Sequence, residues 1–562
     1  MNKYLFKNKI KIIFFIISVP IACLFSIKFA LSLEPIINSV INKDFNMLKT
    51  ASLWCGIYGL LDCIMILVVK YIRENLLKEA FINLKNDLFS NIIKMNIENF
   101  NKNNTGNYMS ILDNDINLLS NSYFDNWLSM YRVSVGFIFS FITVCFLNYI
   151  ITIVLIFVAV CSIIIPKIFN KKLGVIQDEY SEKMKFYTLK IKDFFEGFQV
   201  VKSFNIQEKV INSHERYNIS REEAGCRARI AIYSVGWISM LFSTIMYIST
   251  YVIGGYFSVK GIISVGLVVS LTQLIGGVVA PLEQLPAILS EISSTVKVRS
   301  KLEEILKSQE HYNEGIIPNK LPSEITLNNI SFSYNNLDNN VLNELNLKFE
   351  EGKKYAIVGE SGSGKSTVAK LLLNFYKCSE GQVKIDNEDI SNIDSTYLYH
   401  SISYIHQNVF LFDDSLRENI TLYKEYDENE ILRAIELSGL SQLVKKLPNG
   451  INTKVGENGS LFSGGERQRI GIARALICKS KFLILDEATS SLDNITGLQI
   501  YNSVLSLTDT SSIIITHQLN ANVLSKCDCI YVMKNGSVIE EGTLEELLEK
   551  KEYFYSLYSV NI

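Results

Sequence analysis

The sequence predicts two unlike halves: an α-helical half of membrane-length segments, then an α/β half in which strands alternate with helices. Three observations lead there. Six apolar stretches near membrane-spanning length crowd into residues 12–282. From Glu324 onward, short apolar runs alternate with helical patterns, as in a sheet covered by helices. Within that second half, Gly359-Glu360-Ser361-Gly362-Ser363-Gly364-Lys365-Ser366-Thr367 fills every position of the phosphate-cradling pattern G-x-x-x-x-G-K-[ST]. At 562 residues the chain is too long for one core. Hydrophobic residues make up 48% and charged residues 20%, with a mean hydropathy of +0.18, so an apolar part is joined to an ordinary soluble part.

The apolar stretches are residues 12–33, 47–69, 127–147, 150–165, 230–257 and 262–282. The third and fourth are separated by Asn148 and Tyr149 alone, which predicts a tight hairpin. The first is too long for a cleaved signal peptide and lacks a small-residue cleavage site before Glu34-Pro35. Lys3, Lys7, Lys9 and Lys11 precede it. Lys70, Arg73 and Lys78 follow the second; Lys167, Lys171 and Lys172 follow the fourth; Lys297, Arg299 and Lys301 follow the sixth. All fall on one side, which places both termini in the cytoplasm of a multi-pass cell-membrane protein, with a bacterial plasma membrane as the expected location. The inner connections, residues 70–126 and 166–229, are helical in pattern and too long for loops, so the membrane helices are expected to continue into the cytosol. Asp62 lies inside the second stretch. A carboxylate there is costly in lipid, and pairing within the bundle, with Lys28, is expected ahead of a contact with a cationic substrate. Phe137, Phe139, Phe141, Tyr247 and Tyr251 are expected to pack between helices or face lipid.

Residues 308–323 hold two prolines, a glycine and mixed charge and read as a linker. The expected division is therefore 1–307, 308–323 and 324–562. The net charge of −2 gives no reason to expect nucleic acid as a partner. The ten cysteines form no disulfide framework. Cys23, Cys55, Cys63, Cys145 and Cys161 lie in apolar stretches, and Cys378, Cys478, Cys527 and Cys529 in a half expected to face a reducing cytosol. Cys527-Asp528-Cys529 lacks a second pair at zinc spacing.

The phosphate loop follows the apolar run Tyr355-Ala356-Ile357-Val358 and precedes a helical run from Val368 to Leu373, the strand–loop–helix context the pattern needs. Its glycines let successive N–H groups converge on phosphate oxygens at a helix N-terminus. Lys365 is placed to neutralise the β- and γ-phosphates and Ser366 to hold Mg²⁺. Tyr334 lies two dozen residues upstream. Phe482-Leu483-Ile484-Leu485-Asp486-Glu487 is an apolar strand ending in two carboxylates, one suited to Mg²⁺ and the next to activating water.

Leu461-Phe462-Ser463-Gly464-Gly465-Glu466-Arg467-Gln468 sits upstream of that strand, at the start of a helix with flanking glycines. With these motifs in place the chain resembles, over nearly its whole length, an exporter-type ABC half-transporter: a six-helix transmembrane domain fused to a P-loop ATPase. The resemblance implies that Ser463, Gly464, Gly465 and Glu466 bind the γ-phosphate of ATP held by a second subunit, so that a homodimer or heterodimer is required. It implies that Tyr334 stacks on adenine, Gln407 senses Mg²⁺, Asp486 holds Mg²⁺, Glu487 is the general base, and His517 contacts the γ-phosphate. Asp493, in Ser491-Leu492-Asp493, matches the loop that communicates across the dimer, and Thr453-Lys454-Val455-Gly456-Glu457 a loop that touches the intracellular helices. Thr105–Met109 with Asp113 and Asp115, and Glu196–Phe204, resemble two coupling regions. His406 is expected to be a packed core residue.

Four positions depart from the family pattern: Phe462 for leucine, Glu466 for glutamine, Lys454 for an acid and Gln518 for arginine. None removes a phosphate, Mg²⁺ or base contact. The expected function is ATP-driven export of an amphipathic drug, lipid or peptide, with membrane lipid around it. With only a short basic stretch ahead of the first segment, a fused leader-peptide-cleaving protease domain is not expected. Two alternatives are an importer of a metal chelate on the same architecture and a non-transporting ATPase, against which six apolar segments argue.

Overall fold

The computed structural model describes residues 1–307, 315–334, 340–489, 492 and 494–560, with backbone alone for 161–173, 235, 239 and 560. It divides into two compact units: Met1–Asn91 with Thr105–Lys307, and Ile92–Asn104 with Ser308–Ile562. Part of the expected linker, residues 308–314, and Ser491 and Asp493 lie outside the described residues.

Six long helices make up the first unit: α1 (Lys9–Leu31), α2 (Phe45–Ile93), α3 (Asp125–Leu147), α4 (Tyr149–Glu196), α5 (Gln207–Val259) and α6 (Val265–Ser294). Helix α2 has 49 residues and α5 has 53. At 1.5 Å per residue they run roughly 75–80 Å, over twice the ~30 Å of a hydrocarbon core. The long inner connections are thus helix continuations. Five helical stretches among the described residues are long and apolar enough to cross a membrane. The sixth, on α4, shows its apolar part in Tyr149–Val160; the rest of that expected span falls on residues described by backbone alone.

The hairpin between α3 and α4 has a local cause. Asn148 turns extended (φ −158°, ψ 108°) and ends α3. Its side-chain oxygen then accepts the N–H groups of Ile150 and Ile151, capping α4. Helix α6 carries the most buried face, with Leu271, Leu274, Ile275 and Val278 packed on Ile27, Val144 and Leu155. Gly277 permits this: a Cβ there would stand 2.2 Å from Ser140 Oγ. Phe137 and Phe139 pack on this core and Phe141 stacks on Phe137 at 5.7 Å. Tyr247 packs on it too, whereas Tyr251 is exposed.

The expected Asp62–Lys28 pair does not form. Lys28 is exposed, and Asp62 Oδ1 is buried without a hydrogen-bond partner. Asp62 shares a cavity with Cys23 of α1, and Lys28, five residues on, lies about 140° round that helix.

Short helices stand between the long ones, and two of them bear on the expected coupling regions. Ile97–Asn101 is started by Asn96, whose side chain accepts the Asn99 N–H. It belongs to the second unit, where Asn101 Nδ2 donates to Tyr376 OH at 3.1 Å. The expected Thr105–Met109 lies on a short helix of its own, Thr105–Ser110, which belongs to the first unit. The other, Phe198–Ser203, falls within the expected Glu196–Phe204 and is opened by Gly197.

The second unit holds two sheets. β1 (Glu324–Phe332), β2 (Leu342–Glu350), β4 (Glu380–Ile385) and β5 (Glu388–Asp389) form an antiparallel sheet in the order β2-β1-β4-β5. β3 (Lys354–Gly359), β6 (Ile402–Ile405), β7 (Phe482–Asp486), β8 (Ser511–Thr516), β9 (Cys529–Lys534) and β10 (Ser537–Gly542) form the other, in the order β10-β9-β3-β8-β7-β6. Its strands are parallel except β10. Strands β3, β7 and β8 are buried at every residue, which is why they read as unbroken apolar runs rather than alternating ones.

Candidate nucleotide site

Parallel order brings the carboxyl ends of β3, β8, β7 and β6 to one edge, where ligands of open α/β sheets bind. Val358 pairs with Thr516, Asp486 with Ile515 and Ile405 with Leu485. The residues that follow each strand therefore meet, though up to some 150 positions separate them.

Gly359 ends β3 at φ +150°, and a Cβ there would lie 2.2 Å from Met533 O of β9. Gly362 and Gly364 are left-handed, at φ +83° and +100°. Only glycine takes this sequence of conformations cheaply. Gly364 opens helix α7 (Lys365–Leu372), and a Cβ on it would meet Leu342 Cδ2 at 2.6 Å. Lys365 Nζ folds back over the loop, donating to Gly359 O at 3.0 Å and Glu360 O at 2.7 Å. Burial pushes its ammonium below its ordinary value, while Glu487 and Asp486 pull it back up. Ser361 is exposed on the loop, Ser363 Oγ is 3.5 Å from Lys365 Nζ, and Glu360 Oε1 accepts from Tyr553 OH at 2.8 Å.

Ser366 Oγ donates to Asp486 Oδ1 at 3.0 Å, and Tyr404 OH to Asp486 Oδ2 at 2.8 Å. Burial, then the Asp486 charge, raises the Tyr404 phenol far above its usual range, so it stays a donor. The hydroxyl and carboxylate are hard oxygen ligands of the kind Mg²⁺ takes. Glu487 sits at φ +48°, in the left-handed region. Its carboxylate accepts from Gln407 Nε2 at 2.6 Å and contacts His517 Nδ1 at 2.9 Å. Tyr334 OH bonds Thr367 Oγ1 at 3.1 Å, and Lys370 Nζ lies 5.4 Å over its ring. His406 packs edge-on to Tyr404 at 4.3 Å, and burial keeps its imidazole below its ordinary value, so neutral.

Ser463 caps helix α8 (Gly464–Ile477). Its Oγ accepts the Glu466 N–H at 3.3 Å, and Glu466 Oε2 accepts the Ser463 N–H at 2.7 Å. Glutamate serves this reciprocal cap as glutamine does, which accounts for the departure at 466. Phe462 is buried among Leu411, Leu416 and Ile470, so its larger side chain is used as core. Gly464 lies in the first turn of α8 and Gly465 follows it.

Sequence reasoning missed Tyr404 and Tyr553. Tyr404 lies three residues ahead of Gln407, but its bond to Asp486 depends on β6 lying beside β7.

Fold and site together define a phosphate-loop ATPase on one chain with a membrane-spanning helical unit. The model for ABC transporters matches residues 342–490, and that for the ABC transporter transmembrane region matches residues 12–282. The chain belongs to the ABC transporters, as a half-transporter of exporter type, and couples ATP hydrolysis to transport across a membrane. It is 28% identical to the ATP-dependent lipid A-core flippase of Haemophilus ducreyi over 542 residues, 94% of this chain and 91% of that one. The flippase of Escherichia coli K12 is also 28% identical, over 86% of this chain and 83% of that one. Its fold matches a bacterial Atm1-family ABC exporter solved with ATP bound, at a TM-score of 0.83, 20% identity and 98% coverage of both chains.

Proposed function

We propose that this half-transporter exports a lipid-like amphiphile from the cytoplasmic side, as part of a dimer with a second half-transporter. The observation that carries the motor is Glu487, held by Gln407 and His517 one residue past Asp486. Asp486 and Ser366 are the residues suited to hold Mg²⁺, which would neutralise charge between the β- and γ-phosphates. Lys365 and the N–H groups of Gly362, Ser363 and Gly364 bind the phosphates. Tyr334 supports adenine. Glu487 takes the proton of the attacking water, and His517 orients that carboxylate. Ser463 to Glu466, at the N-terminus of a 14-residue helix, complete the partner's site. One chain thus supplies both parts of a composite site, and joining two chains is the power stroke.

Lipid is favoured because the relatives are named as lipid A-core flippases and match over nearly the full length. The importer and non-transporting readings have no such support. The basic residues flanking the apolar stretches support cytoplasmic termini. Inside-out vesicles decide direction: ATP-dependent accumulation of a fluorescent lipid in the lumen is expected. ATP-dependent loss from the lumen would establish import instead.

A further inference from the structure

We infer that the cavity between α1, α2, α3 and α6 binds the zwitterionic head of an amphiphile, its ammonium on Asp62 and its anionic group on Arg132. The inference rests on the export reading above and narrows its substrate class. The cavity holds about 360 Å³, within the range of small-ligand sites. Each helix turns one face to it: Cys23 from α1, Asp62 from α2, Arg132 from α3 and Gln284 from α6. On α2 that face is Asp62, Ile66, Val69, Lys70 and Arg73, spaced i, i+4, i+7, i+8 and i+11. Gly136 and Gly277 also line it; a Cβ on Gly136 would come within 3.9 Å of Cys23 Sγ, and one on Gly277 would meet Ser140 Oγ at 2.2 Å.

Asp62 lies deep in an apolar run, where a carboxylate is costly unless paired. Its Oδ1 is buried and has no hydrogen-bond partner, and it forms no ion pair among the described residues. Arg132 lines the same cavity and forms no ion pair among them either, not even with Asp62. Arg73 differs: it is committed to Asp125, and to Ser129 Oγ at 3.0 Å. Lys70 lines the cavity too and forms no ion pair among the described residues, but it is exposed just past the apolar stretch, eight residues along α2 from Asp62. Asp62 and the Arg132 guanidinium, opposite charges that line one cavity without pairing, are complementary to a ligand carrying both. A carboxylate takes an ammonium, and a guanidinium takes a phosphate or carboxylate through two parallel N–H bonds. A purely anionic amphiphile would leave Asp62 unpaired and repelled. Val19, Ile66 and Val133 supply apolar wall for the first carbons of the tail.

The test uses the full-length protein in dodecyl maltoside, an uncharged detergent. Dodecylphosphocholine, dodecyltrimethylammonium and dodecyl phosphate share one tail and differ in head charge. Protection of Cys23 from maleimide, read by peptide mass spectrometry, maps each probe to the cavity. The zwitterion should protect at about tenfold lower concentration than the anion, because its quaternary ammonium, which has no N–H to donate, gains an ion contact with Asp62. Asp62→Asn should weaken the zwitterion and the cation about tenfold and spare the anion. Arg132→Gln should weaken the zwitterion and the anion and spare the cation. Asp62→Glu should keep the ranking, and serves if Asp62→Asn aggregates. Glycerophosphocholine, the same head without a tail, should not protect; equal protection by it would overturn the amphiphile. An anion ranked first, an Asp62→Asn variant that weakens all three probes alike, or no protection by any probe overturns the site. The readout needs no ATP. Selective protection without ATP-driven transport refutes the export reading and leaves the site standing; transport without selectivity does the reverse.

Discussion

Replacing Glu487 by glutamine should stop turnover while leaving nucleotide binding intact. The carboxylate accepts from Gln407 Nε2 at 2.6 Å and contacts His517 Nδ1 at 2.9 Å. A glutamine has one oxygen, so it can accept from one of the two; its NH₂ then faces the other. It also cannot take a proton from water. The phosphate contacts proposed for Lys365, and the metal contacts proposed for Ser366 and Asp486, involve side chains not hydrogen-bonded to Glu487. Loss of a general base costs about 10²–10⁴ in rate, or roughly 3–5 kcal/mol of barrier. Phosphate release by the purified dimer in nanodiscs should fall to about 1% or less of the unsubstituted rate. ATP affinity, measured by equilibrium binding, should stay within about threefold, since no phosphate contact is lost. Hydrolysis above about a tenth of normal with normal binding would remove Glu487 as the base.

Lys365→Ala removes the ammonium held at the loop carbonyls, and ATP affinity should drop by about tenfold or more; unchanged binding in a filter assay refutes its role. Tyr404→Phe deletes the 2.8 Å bond to Asp486. A hydrogen bond to a charged group is worth about 1.5–3 kcal/mol, so the Mg²⁺ concentration for half-maximal hydrolysis should rise, and an unmoved Mg²⁺ titration counts against it. Glu466→Gln keeps the cap on Ser463 but removes a negative charge from a helix N-terminus that is to meet a phosphate. The KM for ATP should fall about threefold at low salt and less at high salt; a KM that rises, or a salt-independent change, contradicts the electrostatic account.

Much of the fold was legible because its signals are local. Asn148 ends one helix and caps the next with its own side chain, so the hairpin could be read from two residues. The phosphate loop needs glycine at its left-handed positions, and the glycines stand in the pattern. What was missed depended on neighbours distant in sequence. Asp62 looked like a partner for Lys28, because spacing along the chain says nothing of how α1 is rotated about its axis.

The sequence by itself determined which chemistry this chain carries. Glycines, lysine, serine, two carboxylates and a histidine stand after apolar runs, and apolar stretches near membrane-spanning length precede them all. Those properties follow from residue type and short-range spacing. Only the tertiary structure decided what they do together. Strand β8 inserts between β3 and β7, so His517 stands against Glu487, thirty positions away. Strand β6 on the far side of β7 brings Tyr404 to Asp486 and Gln407 to Glu487. Strand order is a property of packing between distant apolar faces, and no local pattern encodes it. The same holds for Asp62 and Arg132, which line one cavity only because of the faces four helices turn to each other.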